Sequence, residues 1–191
     1  MKRTLLLILI GVSSLCGIGT AHAKECLKVS FPDQATVDGS TLALNGLGLR
    51  QATMLKVNVY VAALYVSKVS PDPNVILGSA PKQLILHFVR GVDRSELNKA
   101  WEEGFEANAA GQLPALKARI EKLKSFMADM KSGERLTFTH KPGAGVQVDV
   151  GGAVKGTVES DDFAKTFFSI WLGSHPPNAN LKAGLLGGPC E

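Results

Sequence analysis

The sequence predicts an α+β domain, in which an antiparallel sheet is covered by helices on one side. Three observations lead there. Short segments of alternating apolar residues, punctuated by Asp38-Gly39, Pro142-Gly143 and Gly151-Gly152, open the chain and resume late in it. Two apolar stripes at helical spacing separate these strand groups. A further stripe follows the last of them. Strands, a helix pair, strands and then helices is an α+β order.

The elements follow in turn. "CLKVSF" alternates and reads as a strand. "PDQATVDGSTLALNGLG" folds back at Asp38-Gly39, a strong hairpin signal. Gly46 and Gly48 then read as a small-residue turn, with Arg50 at the mouth of a long strand from Lys56 to Val66. In that strand Val57, Val59 and Val61 point one way and Asn58 and Tyr60 the other. "SPDPN" breaks it, and "KQLILHFV" is another strand. Leu97, Trp101 and Phe105 recur every four residues and share one helix face, with Asp93 and Glu96 forming a capping box. Leu116, Ile120, Leu123 and Met127 form a second stripe, with Lys131 in the last turn and Gly133 as the stop. "ERLTFTH", "GVQVDV" and "AVKGTV" are strands. Ser160 caps a helix carrying Phe163, Phe167 and Trp171, and a short helix follows Asn178.

The amino terminus reads as a signal peptide, residues 1–23. Lys2 and Arg3 precede a run too short to span a membrane, and Ala21-His22-Ala23 fits a cleavage site. Leu15 before Cys16 argues against a lipoprotein. Residues 24–191 are then expected to form one exported domain, periplasmic or secreted, with no membrane span. Loss of Lys2 and Arg3 takes the formal net charge from +4 to +2. The cations are scattered, so no nucleic-acid partner is expected. Cys26 and Cys190 remain, at either end of that domain. An oxidising compartment favours a bridge between them, with two free thiols as the alternative.

Chemistry-bearing motifs are sparse. His87, His140 and His175 stand alone, without metal-ligand spacing, so no metal is expected. No G-x-S-x-G elbow occurs. "GLGLRQ" lacks the third glycine and the following helix of a dinucleotide fingerprint, so no cofactor is expected. Asp161 and Asp162 complement the dipole of the helix they open. The aromatic stripe of that helix reads as core.

"GLGLRQATMLKVNVYVAALYV", with its small residues, Arg50 and the triplet Leu64-Tyr65-Val66, resembles the chalcone isomerase superfamily, and its bacterial exported branch in particular. The helix pair and "SIWLG" follow in the family's order. The resemblance implies an open-faced β-sandwich, a large antiparallel sheet against a helical layer with an apolar cleft between. It implies that some relatives close a flavanone ring there and that others bind fatty acids, the same arginine holding the carboxylate. Arg50 matches that arginine. Tyr60 falls near a strand threonine of the plant enzymes. Their helix tyrosine has no counterpart in "RGVDRSELNKAW".

Three readings of function follow. One is a pocket for a small amphipathic acid, with Arg50 and Tyr60 as ligand-binding residues and no catalytic residue. The alternative is an intramolecular lyase or isomerase, with Arg50 polarising a carbonyl and Tyr60 donating a hydrogen bond. A cell-envelope module with a self-filled cleft is a third reading. For Arg50 itself, exposure to water or pairing with a structural acid stays open beside a ligand anion. Tyr60 shares a face with Arg50 if both lie on one regular strand, but ten residues at about 3.3 Å each separates them too far for one carboxylate.

Overall fold

The computed structural model describes residues 23–191. The expected signal peptide lies outside the described residues except for Ala23. Strands β3 (Gln34–Val37), β4 (Ser40–Ala52), β5 (Val57–Val66), β6 (Lys82–Phe88), β7 (Arg135–Lys141), β8 (Gly145–Val150) and β9 (Ala153–Val158) pair in chain order into one antiparallel sheet. Beside them β1 (Ala23–Cys26) and β2 (Val29–Pro32) form a separate hairpin. "CLKVSF" is therefore not one strand. The chain reverses at Leu27 and Lys28, both at positive φ, with neither glycine nor asparagine to mark the turn.

Alternation along the sheet sorts two cores. Tyr60, Ala62, Leu64 and Val66 of β5 face a large core shared with the helices. Val61, Ala63 and Tyr65 face a smaller one with Leu47, Leu49, Phe31 and Cys26. The central runs of β4 and β5 are thus buried on both faces, by the helices and by the β1–β2 hairpin. Cys26 is joined to Cys190 by a disulfide with Cα atoms 6.0 Å apart.

The helices are α1 (Pro73–Ile76), α2 (Arg94–Ala109), α3 (Leu113–Ser125), α4 (Asp161–Leu172) and α5 (Ala179–Leu185). "SPDPN" does more than break a strand: Asp72 accepts from the Asn74 amide at 2.8 Å and starts the single turn of α1. The capping box of α2 does not form. Asp93 makes no side-chain cap, and the Arg94 amide instead donates to Asp129 Oδ1 at 2.8 Å. α3 stops at Ser125, well before Gly133. Met130 pairs with Val92 through two 2.9 Å backbone bonds, and that tertiary bridge overrides the helical stripe while Met127 stays buried. Ser160 does cap α4, accepting from the Phe163 amide at 3.3 Å.

Gly46 and Gly48 are not a turn. Both lie inside β4, on the face where α5 crosses it. A Cβ on Gly48 would stand 2.3 Å from the Leu181 carbonyl oxygen, and one on Gly46 2.1 Å from that of Gly184. Bare backbone lets helix and strand touch. Gly48→Val should therefore push α5 outward and cost about 1–3 kcal/mol of stability, as overpacking does. A urea titration checks this, and an unchanged midpoint would mean that α5 is not seated through Gly48.

Candidate functional site

A single-strand reading separates Arg50 from Tyr60; the structure brings them side by side. The chain turns between Ala52 and Val57, so Arg50 ends β4, Tyr60 lies in β5, and the two are cross-strand partners. Directly opposed residues share a sheet face, so both side chains lie on the helical side. The register slips between Arg50 and Gln51, which leaves Val59 as the extra residue of a β-bulge. The bulge breaks the expected alternation, and Val59 and Tyr60 both line the same cavity.

That cavity, of about 710 Å³, lies between sheet and helices at the end where the β4–β5 turn, the β6–α2 loop and the α4–α5 loop meet. Leu86 and Phe88 come from the sheet, Leu97 and Trp101 from α2, and Ile170 and Trp171 from α4. The exposed residues Arg90, Glu96, Lys99, Glu103 and His175 form its rim. The volume is that of a small-molecule site.

The polar groups of the inner wall are donors. Arg50 is half-buried, and one terminal nitrogen makes all its hydrogen bonds, to the carbonyl oxygens of Gln51 and, at 3.1 Å, Pro177, with Asn178 Oδ1 at 3.5 Å. Neither plain exposure nor a structural acid describes it: among the described residues it has no carboxylate partner, and it is partly enclosed. Its other terminal nitrogen and Nε make no hydrogen bond among those residues. Tyr60 is buried, and its hydroxyl oxygen accepts from Trp171 Nε1 at 3.0 Å. Its own proton remains free to donate. Burial pushes the Tyr60 phenol up to about 12, against the opposing pull of the Trp171 bond and Arg50, so it stays protonated at neutral pH. Trp101 also lines the cavity, and its buried Nε1 has no hydrogen-bond partner among the described residues.

Sequence reasoning misses both tryptophans as polar groups. They do pack in the aromatic core, with rings 5.8 Å apart. A tryptophan in an apolar stripe carries no periodic mark of where its N–H goes. Asn178 stands out in the sequence only as the residue before a helix. It donates to the Leu49 carbonyl at 3.1 Å and ties the start of α5 to β4 beside Arg50.

A second polar cluster sits at the far end of β6. Lys82, 2% exposed, donates to the Gly78 carbonyl at 2.7 Å and lies 3.0 Å from His140 Nδ1. His140 Nε2 is 3.0 Å from Asp161, which also accepts from the Gly143 amide. Asp161 thus serves a tertiary contact as well as the helix dipole. Burial brings the Lys82 ammonium down to about 8, with Asp161 pulling the other way. Above pH 8 the folded state gives up this proton while an unfolded lysine keeps it to about 10.4, so stability rises with pH across that window. Unfolding free energy should increase by about 2–3 kcal/mol from pH 7 to pH 10, since each tenfold difference in proton affinity between the two states is worth about 1.4 kcal/mol. Above pH 10 the raised pKa values of Tyr60 and Tyr65 reverse the trend. Urea melts at the two pH values check this; a flat profile, or the same slope in Lys82→Met, would contradict it.

Among the described residues no His, Cys, Asp and Glu cluster could hold a metal, and no helix is long and apolar enough to cross a membrane.

Comparison with curated proteins gives no match. A fatty-acid binding protein of Arabidopsis thaliana has a similar crystal structure, with a TM-score of 0.67 at 16% identity, over 86% of this chain and 96% of that one. At that identity the likeness is one of fold, and it agrees with a curled antiparallel sheet under a helical layer. The model of the chalcone isomerase-like family matches residues 23–187, nearly all of the described chain, and with these strands and helices in place the chain belongs to that family.

Proposed function

We propose that this chain binds a fatty acid or a similar amphipathic carboxylate in the cavity and releases it unchanged. One observation carries the reading: among the described residues, Arg50 and Tyr60 bring unused donors to the inner wall of an apolar cavity and no carboxylate pairs with Arg50. Arg50 supplies a fork of unused N–H groups and Tyr60 a free hydroxyl proton. A carboxylate takes two parallel bonds from a guanidinium and neutralises its charge, and an apolar tail fills the remainder. The Arabidopsis fatty-acid binding protein of the same fold supports this ligand class.

We further propose that the chain works after export, in the periplasm or outside the cell, as a member of the family's bacterial exported branch. The basic, apolar and small-residue order of residues 1–23 and the Cys26–Cys190 disulfide support that placement.

Native mass spectrometry of gently purified protein tests the ligand. The expected result is an adduct that organic extraction releases as a long-chain carboxylic acid. Tyr60→Phe, which removes one hydrogen bond to the charged carboxylate worth about 1.5 kcal/mol or more, should weaken acid binding by roughly tenfold. A ligand-free chain that also fails to take up added fatty acid would defeat the proposal.

A further inference from the structure

The turn between β4 and β5 carries a feature that ligand binding leaves unused. Met54 is 100% exposed and Leu55 86%, the two highest values among the described large apolar residues. They stand side by side at the tip of the hairpin. Thr53 and Lys56 flank them, both at positive φ. A β-branched residue is strained there, and asparagine or glycine would be the easy choice for a solvent-facing turn.

The tip adjoins the cavity mouth. Ala52 and Thr53 line the cavity, and Arg50 lies just inside them. The charges at this end are mixed but lean positive. Lys99 pairs with Glu103 at 3.7 Å, which leaves Arg50, Arg90 and the exposed Lys56 against Glu96. Adjacent apolar side chains in water, bordered by cations, suit shallow insertion at a lipid interface.

We propose that the β4–β5 tip docks on an anionic bilayer. Met54 and Leu55 enter the acyl boundary, Lys56 and Arg90 meet the head groups, and the cavity mouth then opens toward the membrane. A bilayer fits better than a protein partner. Two residues offer little of the roughly 1,200–2,000 Å² that a stable protein interface buries, whereas a bilayer takes up single side chains. Docking requires nothing in the cavity and so goes beyond the ligand reading.

Vesicle flotation tests it. The vesicles are phosphatidylcholine with or without phosphatidylglycerol and contain no free fatty acid, so the result does not depend on acid binding. Wild type is compared with Met54→Ser/Leu55→Ser and with Lys56→Glu, all with amino termini matched by intact mass. These sites are exposed, and matching near-ultraviolet circular dichroism verifies the fold. Wild type should partition onto anionic vesicles at least tenfold more strongly than the double variant, and less onto neutral vesicles or in high salt. Lys56→Glu should lower binding to anionic vesicles alone. Equal flotation of wild type and double variant, or no flotation at all, overturns the proposal. So does a solution dimer that the double variant breaks without any vesicle binding, which would assign the tip to a second copy of the chain.

Discussion

Replacing Cys26 and Cys190 with serine should lower the unfolding free energy by about 2–5 kcal/mol. The bridged residues are 164 apart in sequence, so the bond closes nearly the whole domain into one loop. In the chain-entropy account a cross-link of that span removes much of the freedom of the unfolded chain. It also has a local effect. Cys190 follows α5, the helix seated on Gly46 and Gly48, and Cys26 holds the β1–β2 hairpin over the smaller core. Urea unfolding of wild type, reduced wild type and the double serine variant measures the loss. The last two should coincide, and a double variant as stable as oxidised wild type would show that the disulfide adds nothing to stability.

Arg50→Ala should weaken binding of a long-chain acid roughly ten- to a hundredfold, because a charged hydrogen bond typically contributes about 1.5–3 kcal/mol. The guanidinium is held by the carbonyls of Gln51 and Pro177 rather than by a carboxylate, so its charge is oriented but not neutralised. Arg50→Lys should recover only part of the affinity, since an ammonium cannot offer a planar fork. Competition against a fluorescent fatty acid gives the constants. Full affinity in Arg50→Ala would locate the anchor elsewhere on the wall.

Much of the fold is legible in the sequence because local and tertiary preferences agree. Asp38-Gly39, Gly151-Gly152 and the Ser160 cap mark their turns and helix start by residue type alone. Where such marks mislead, a distant partner decides the matter. Met130 ends a helix early because Val92 pairs with it, and Asp129 takes the place of Asp93 at the start of α2. The turn at Thr53–Lys56 contains no glycine, asparagine or proline, so Arg50 and Tyr60 read as distant points near one strand instead of neighbours across two. The sequence therefore points to residues of the candidate site but not to their arrangement. The two indole N–H groups are invisible in it because packing between helices, not periodicity, sets their direction.

The central claim is that a fixed positive fork at Arg50 reads a carboxylate at the end of an apolar cavity. A titration of wild type and Arg50→Ala with a long-chain fatty acid and with its methyl ester tests it most directly. The ester keeps the tail and the carbonyl but loses the charge. The expected result is that wild type binds the acid at least about tenfold more tightly than the ester, and that Arg50→Ala erases the difference by weakening only the acid. Equal binding of acid and ester by wild type, unchanged in Arg50→Ala, would contradict it.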